Sequence, residues 1–297
     1  MLLRTWILAT RPWSLVMTFV STSLAGIMAY SSGTFSFYIF FLTMIGLLVA
    51  HMAANMTNDW YDVKDGVDVK ATTSEYRPHP LLLGEVDKKS YIIVILTLYG
   101  VGLSISIYLT YLRGILVLIF SFLGVFFGIF YTADPVKLKY RALGEISVFL
   151  SFGPLMVGGA FYAISGFFSW KPIFASVPIG LLVSLVLLAN NLRDKEYDKK
   201  VGVTTLVTDL DESRGLRYYK ALLFSSFIIT ALLIIVRVLS PFALISFITI
   251  KEAVKIMRAF NNKIPLNSDV ITSQLTLHFG VLLTLGEFLN VVYNTII

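Results

Sequence analysis

The sequence predicts an all-α, polytopic membrane protein with nine transmembrane helices in a single domain that spans residues 1–297. Three observations predict this fold class. Hydrophobic residues make up 57% of the chain and charged residues only 14%, whereas an average soluble domain carries roughly 25% charge. The mean hydropathy is +0.79. The apolar residues also fall into nine separate runs, most of them close to the roughly 20 residues that cross a bilayer as a helix.

The first residues contain Arg4, Trp6 and Arg11 and are typical of a short segment that lies at the membrane interface. Two prolines, Pro154 and Pro178, lie inside apolar runs, where they predict kinks. The nine predicted spans are residues 12–30, 36–57, 90–109, 114–131, 144–163, 172–191, 218–236, 240–258 and 272–295.

Lysine and arginine are distributed unequally between the two ends of these spans. Only Arg113, Lys171 and Arg237 fall on one side, and all the others fall on the side of the N-terminus. The positive-inside rule therefore predicts a multi-pass protein of the cell membrane, with a cytoplasmic N-terminus and the C-terminus outside. The net charge of +6 is explained by membrane-flanking residues, so nucleic acid is not expected as a partner. The chain has no cysteine, which excludes disulfides and thiolate chemistry.

Two acidic segments follow apolar runs on the same side. We call residues 58–68 the first acidic arm and residues 190–198 the second. At helical spacing, each arm places carboxylates and amides on one face. Neighbouring carboxylates repel one another, and hard oxygen ligands favour Mg²⁺ or Ca²⁺ over soft metals. Mg²⁺ is usually held by a few carboxylates together with a substrate phosphate. The candidate metal ligands are Asn58, Asp59, Asp62, Asn190, Asp194 and Asp198.

Either arm alone is explained more simply as a solvated acidic loop. Two similarly spaced arms on one side instead favour a shared site that grips a metal-bound diphosphate at the membrane surface. The connections that carry the arms, about residues 58–89 and 192–217, are longer than neighbouring helices need. We expect them to form partly helical caps over the site.

Several other polar residues are candidates near the arms. Arg77 is either a rim charge or a fork-shaped donor to phosphate oxygens. Lys139 is favoured over its basic neighbours as the residue that neutralises a leaving diphosphate. Tyr131 is either an interfacial anchor or a polar contact to a substrate. His51 lies two turns before Asn58 on one face, and it either lines a cavity or is a neutral histidine satisfied by a neighbouring helix.

Three motifs occur in a characteristic order: Asn58-Asp59-x-x-Asp62-x-x-x-Gly66-x-Asp68, then Tyr131-Thr132 with Leu138-Lys139-Tyr140-x-x-Leu143-Gly144-Glu145, and finally Asn190-Asn191-x-Arg193-Asp194-x-x-x-Asp198-x-x-x-Gly202-x-x-Thr205-Leu206. Together they resemble the UbiA superfamily of intramembrane aromatic prenyltransferases. The resemblance implies nine helices around a central, lipid-accessible cavity, an isoprenyl diphosphate donor, an aromatic acceptor and Mg²⁺. It also implies catalytic roles for Asp59, Asp62, Lys139, Asp194 and Asp198, and substrate-binding roles for Asn58, Asp68, Arg77, Tyr131, Asn190 and Arg193.

The start of the second arm and the Gly66-x-Asp68 ending are similar to the branch that acts on 1,4-dihydroxy-2-naphthoate in menaquinone-type quinone biosynthesis. Arg77-Pro78-His79-Pro80, with Gly84 after it, is instead similar to other branches, including archaeal enzymes of ether-lipid synthesis. Prenyl transfer to a glycerol-phosphate acceptor is therefore an alternative. A secondary transporter is the non-enzyme alternative, but its ion-binding carboxylates should lie near the membrane midplane.

Overall fold

The computed structural model describes residues 2–68 and 78–296, and its regular elements there are all helical. The predicted all-α class is confirmed. Seven helices of the described part are long and apolar enough to cross a membrane, as expected of a multi-pass membrane protein. They span Pro12–Ser31, Phe37–Lys64, Lys88–Arg113, Gly144–Ser165, Trp170–Val201, Glu212–Ile235 and Ser268–Ile296.

The N-terminal segment forms a short amphipathic helix, α1 (Leu2–Ala9), as expected for an interfacial element. The chain then turns at Arg11, whose φ of 52° lies in the left-handed region, and passes through a 3₁₀ turn at Pro12–Ser14. Helix α2 (Val16–Ser31) follows. This turn directs the Arg11 side chain toward the next helix, α3 (Phe37–Lys64).

The middle of the chain contains α4 (Pro80–Leu83), α5 (Lys88–Arg113) and α6 (Leu116–Phe130). Asp87 caps α5, because its carboxylate accepts a 2.9 Å hydrogen bond from the Ser90 backbone N–H. Helix α6 corresponds to the fourth predicted span but has only 15 residues. It is shorter than the length of an average membrane-crossing helix.

Both internal prolines interrupt helices, in different ways. Pro154 lies in a π-helical segment, Ser151–Leu155, between α7 (Gly144–Leu150) and α8 (Met156–Ser165). This is the irregularity that the sequence predicted there. Pro178 instead lies in the first turn of α10 (Val177–Val201), after α9 (Trp170–Ala175). The predicted kink is therefore a break between two helices, where the missing N–H costs little.

The last part of the chain contains α11 (Glu212–Ile235), a 3₁₀ stretch at Pro241–Thr249, α12 (Ile250–Asn262) and α13 (Ser268–Ile296). The eighth predicted span, residues 240–258, thus consists of the 3₁₀ stretch and most of an amphipathic helix. With seven long spans in the described chain, the count of nine remains a prediction.

The structure corrects the boundaries of the predicted caps. Helix α3 continues to Lys64 and α10 continues to Val201, so the connections begin after these residues rather than near 58 and 192. Each acidic arm is therefore largely the last turns of a membrane helix. The polar residues stay helical because one face of each helix end makes hydrogen bonds with neighbouring segments. Helical backbone holds the arms more rigidly than a loop would.

The helices pack into two groups that share α8. Helices α3, α5 and α6 pack against one another, and α3 and α6 also pack against α8. On the other side, α10 packs against α7, α11 and α13, while α2 bridges α8 and α13. The main apolar core lies in this second group, around side chains such as Leu182, Leu223 and Phe279. The first group encloses a cavity that opens toward the acidic arms.

Candidate active site

The two acidic arms end in the same backbone structure. The Val67 N–H donates to the Asp62 carbonyl at 2.8 Å, and the Val203 N–H donates to the Asp198 carbonyl at 2.9 Å. In each arm the preceding glycine, Gly66 or Gly202, has a positive φ, of 73° or 75°, which favours a residue without Cβ. Asp62 and Asp198 therefore each lie four residues before the glycine of a matching helix stop.

Asp59 is almost fully buried, with 1% of its surface exposed, and pairs with a cation from the N-terminal segment. The Arg11 guanidinium donates to Asp59 and, at 2.9 Å, to Oδ1 of Asn58. Burial acts against the charge, but the Asp59 carboxylate raises the pKa of Arg11 above its ordinary value. Arg11 therefore stays cationic and offsets the charge that α3 brings into the site.

Asp62, also 1% exposed, is held by the segment between α6 and α7. Lys139 donates to Oδ2 of Asp62 at 2.7 Å, and the Tyr140 hydroxyl donates to Oδ1. Burial, and then the charge of Asp62, raise the pKa of Tyr140 well above its usual range. The phenol therefore remains a neutral donor, so Asp62 has one charged and one neutral partner.

Arg193 organises the second arm. It donates to both carboxylate oxygens of Asp194 at 2.8 Å, in a fork-shaped pair, and to Oδ1 of Asn190 at 2.5 Å. The same guanidinium reaches Asp269 at the start of α13, at 2.7 Å. Arg193 therefore connects the second arm to the last helix and orients Asp194.

The structure brings the two arms together. Tyr197 in the second arm donates a 2.7 Å hydrogen bond to the backbone carbonyl of Val67 in the first. Lys139, which contacts Asp62, also lies within electrostatic range of Asp198. Like charges from two distant parts of the sequence therefore meet around one lysine, which offsets their mutual repulsion.

His79 joins the first arm to the short helix α4. Its Nε2 lies 3.1 Å from Oδ2 of Asp68 and 3.5 Å from Oδ1 of Asp59. Its Nδ1 accepts a hydrogen bond from the Leu82 backbone N–H at 3.3 Å. A neutral imidazole that accepts at Nδ1 carries its proton on Nε2. His79 therefore donates to Asp68 and lies beside Asp59, and the three side chains are close enough to hold a metal ion. Arg77 lies outside the described residues.

An apolar cavity of about 570 Å³ extends from the arms between α3, α5, α6 and α8. Arg11, Asn58 and Tyr131 lie at its polar end, and Leu109 and Ala163 line the other.

His51 also lines the cavity, which is one of the two roles that the sequence predicts for it. The other interpretation also describes it, since its Nδ1 lies 2.8 Å from the Thr18 hydroxyl of α2. Its ring packs edge-on against Phe152, with the ring centroids 4.9 Å apart. A histidine held on two sides in this way is a fixed polar group on an otherwise apolar wall.

Sequence reasoning missed three residues of this site: Arg11, His79 and Tyr140. Each contacts a carboxylate of the first arm. Arg11 was interpreted as an interfacial charge because its partner lies 48 residues away. His79 and Tyr140 both lie within sequence motifs described above. Their positions in those motifs are the only indication of a functional role that the sequence provides.

The fold and the site together define a polytopic α-helical membrane protein in which two acidic helix ends meet at the mouth of an apolar cavity. Residues 19–264 match the model of the UbiA prenyltransferase family, so the chain belongs to that family. It is therefore a prenyltransferase, as the sequence predicted, and membership in a family of enzymes argues against the transporter alternative.

Curated relatives cover nearly the whole chain. A UbiA prenyltransferase domain-containing protein 1 homolog from Drosophila melanogaster is 29% identical over 95% of this chain and 79% of its own length. The 1,4-dihydroxy-2-naphthoate octaprenyltransferase of Bacillus subtilis (strain 168) is 26% identical over 95% of this chain and 91% of its own.

Solved structures share the fold. A UbiA homolog from Aeropyrum pernix K1 superposes with a TM-score of 0.71 at 17% identity, over 90% of this chain and 97% of its own. A UbiA homolog from Archaeoglobus fulgidus, solved with GPP and Mg²⁺, gives a TM-score of 0.62 at 17% identity, over 94% and 99% of the two chains. At this identity the likeness concerns the fold alone.

Proposed function

We propose that the chain transfers a prenyl group from an isoprenyl diphosphate to an aromatic acceptor, in an Mg²⁺-dependent reaction of menaquinone-type quinone biosynthesis. The observation that carries this proposal is the meeting of the two arms around Lys139 at the polar end of the cavity. A diphosphate head fits the charged end, and a hydrocarbon tail fits the apolar end. The naphthoate-prenylating relative from Bacillus subtilis supports the choice of acceptor.

The donor set fits Mg²⁺. The arms offer carboxylate and amide oxygens, which are the hard ligands that this ion prefers, and Asp59 and Asp62 are buried away from bulk water. A bound Mg²⁺ would neutralise diphosphate charge and so favour its departure. The residues that would hold it are Asn58, Asp59, Asp62, Asn190, Asp194 and Asp198.

Three cationic side chains form ion pairs with the acidic residues: Arg11 with Asp59, Lys139 with Asp62, and Arg193 with Asp194. These side chains are positioned before a substrate binds, so they need little reorganisation to interact with it. Charge-assisted hydrogen bonds from these groups would stabilise the negative charge that develops on the leaving diphosphate. Asp68 and, by resemblance, Arg77 complete the diphosphate end.

The cavity protects the allylic carbon once its bond to oxygen loosens. Its wall is mostly apolar and carries aromatic rings, including Phe120, Phe127 and Phe152. Such rings attract a developing positive charge through their faces, and the apolar wall excludes water that would otherwise capture it. An electron-rich aromatic carbon of the acceptor then attacks this carbon and loses a proton.

The charges on the cavity wall favour an aromatic acceptor over a glycerol phosphate. Among the described residues that line the cavity, Arg11 has the only permanent positive charge, and it is already paired with Asp59. An acceptor phosphate monoester would bring about two negative charges there without a further cation to match them. A naphthoate carries a single carboxylate charge, and its aromatic ring could pack beside Tyr131, His51 and Phe152.

The site also bears on orientation. Both arms and the segment around Lys139 lie on one side of the membrane, the side that carries most of the lysine and arginine. The positive-inside rule predicts that this side is cytoplasmic and holds the N-terminus, and the nine predicted spans would then put the C-terminus outside.

The experiment that tests this function uses purified protein, radiolabelled geranyl or geranylgeranyl diphosphate, Mg²⁺ or a chelator, and a panel of naphthoate, hydroxybenzoate and glycerol-phosphate acceptors. We expect Mg²⁺-dependent prenylation of the naphthoate. The Asp194→Asn variant should lose at least about 100-fold in kcat, by analogy with other electrostatic catalytic groups. Asp209→Asn, which changes an exposed residue next to the same arm, is the matched control. Undiminished activity in Asp194→Asn, or activity with glycerol phosphate alone, would contradict the proposal.

A further inference from the structure

Helix α12 has two very different faces. Its apolar side chains Ala253, Ile256, Met257 and Phe260 are buried against the protein. The opposite face carries Lys251, Lys255 and Arg258, all exposed. An amphipathic helix with cations on its outer face is typical of an element that lies in the membrane interface, among lipid headgroups.

The end of this helix and the start of α11 form an open cleft of about 390 Å³. Its lining offers two cations and two neutral polar groups, together with one apolar side chain. The lining residues are Ser213, Leu216, Arg217, Lys220 and Asn261. This is a donor-rich surface, and its chemistry matches a phosphate group.

The nearby acidic group is already neutralised. Asp211, which caps α11, accepts hydrogen bonds from Ser213 and from the Arg214 backbone, both at 2.7 Å, and pairs with the Arg214 guanidinium at 3.1 Å. Within the described residues, neither Arg217 nor Lys220 forms an ion pair. The cleft therefore keeps a net positive charge, which the exposed Glu212 offsets only in part.

The cleft lies at the depth of lipid phosphates. Lys220 is the last charged residue before the apolar run of residues 221–235, which completes α11 as a membrane-spanning helix. The side chains on the two turns before this run therefore sit where the hydrocarbon ends and headgroups begin. Anionic phospholipids are concentrated at that level, whereas a soluble anion is not.

A short path connects the cleft to the second acidic arm. The chain that leaves α12 next to Asn261 reaches Leu266, whose carbonyl accepts from Arg193 at 3.2 Å, and then Asp269, which accepts from Arg193 at 2.7 Å. Arg193 is the residue that orients Asp194 and Asn190. A ligand that steadies the end of α12 would therefore steady the second arm.

We propose that the cleft between α11 and α12 binds the phosphate of an anionic phospholipid headgroup, and that its occupancy supports the second acidic arm through Arg193. The binding itself is independent of the proposed function. The effect on the arm rests on that function, because it is measured as prenyl transfer.

Binding is tested by native mass spectrometry of the purified chain exchanged with phosphatidylglycerol or phosphatidylcholine. The test variant is Arg217→Gln/Lys220→Gln. The control is Lys88→Gln/Lys89→Gln, which removes the same charge from two exposed lysines at the start of α5. We expect the wild type and the control to retain phosphatidylglycerol and the test variant to lose retention at least fivefold. Equal retention in both variants would overturn the site, because general positive charge would then suffice. Displacement of the lipid by millimolar inorganic phosphate would overturn the lipid as occupant.

The effect on the arm is tested in nanodiscs of phosphatidylcholine with and without phosphatidylglycerol. The anionic lipid should lower KM for the diphosphate donor in the wild type and the control, but not in the cleft variant. A cleft variant that loses lipid retention but keeps the activation would overturn the coupling to Arg193. Because retention is measured without turnover, a failure of the proposed function would leave the binding result intact.

Discussion

The hydroxyl of Tyr197 donates a 2.7 Å hydrogen bond to the backbone carbonyl of Val67. This contact joins the end of α10 to the turn that ends α3, so the two acidic arms form one site although 130 residues separate the partners. The matching helix stops at Gly66 and Gly202 place both arms at comparable positions on their helices. The distance between the arms thus depends on a few contacts at the ends of the membrane helices.

Tyr197→Phe should loosen this junction without unfolding the protein. The lost hydrogen bond is worth about 1 kcal/mol, which corresponds to roughly a fivefold rise in KM for the diphosphate donor. Steady-state kinetics at saturating acceptor measure this change. Tyr218→Phe removes a phenol that is 49% exposed and should leave KM unchanged. An unaltered KM in Tyr197→Phe would show that other contacts fix the arms.

Two lysines in one short segment allow a sharp comparison. Lys139 contacts the buried Asp62 at 2.7 Å, whereas Lys137 contacts the more exposed Asp65 and Asp134, at 2.7 and 3.1 Å. Lys139→Gln should lower kcat/KM by about 100-fold, because it removes a cation from the place where diphosphate charge develops. Lys137→Gln should change it by less than about fivefold, as expected for an exposed pair. Similar losses in both variants would mean that net charge matters rather than position.

Much of the fold could be predicted from the sequence, because long apolar runs depend only on composition and bilayer thickness. The seven long spans agree with seven of the predicted runs. The run that is predicted to start at residue 218 starts at Glu212 in the structure, because charged residues in a first helical turn are not part of an apolar run. For the same reason, the apolar runs end before the helices do, which continue to Lys64 and Val201.

The cationic partners in the site were harder to predict. Arg11 meets Asp59 because a left-handed turn redirects the chain before Pro12, and hydropathy contains no information on such a turn. Tyr140 follows Lys139 directly in one of the sequence motifs. That both side chains reach Asp62 depends on the 3₁₀ turn they share, and the sequence does not predict this turn. Carboxylate spacing could be read along one helix, whereas ion pairs between segments required the tertiary structure.

His79 provides a test of whether a residue near the arms orients carboxylates or binds metal. With its proton on Nε2, it donates toward Asp68 and Asp59. His79→Leu removes this donor and should raise KM for the donor substrate by about tenfold, whereas His79→Gln keeps an N–H and should lose less. The ratio of activities with Mg²⁺ and Mn²⁺ should stay the same in both variants. A changed ratio would identify His79 as a metal ligand, because imidazole favours the transition metal.

The absence of cysteine allows the orientation to be tested with single introduced thiols. Asp209→Cys places one at an exposed site beside the second acidic arm, and Lys171→Cys places one at the start of α9, on the opposite side of the membrane. A membrane-impermeant maleimide should label Lys171→Cys in intact cells and Asp209→Cys only in inverted vesicles, because lysine and arginine accumulate on the cytoplasmic side. Both variants should be labelled after detergent is added, which controls for thiol reactivity. Labelling of Asp209→Cys in intact cells would place the acidic arms outside. The diphosphate donor would then have to reach the site from the extracellular face, contrary to the proposed orientation.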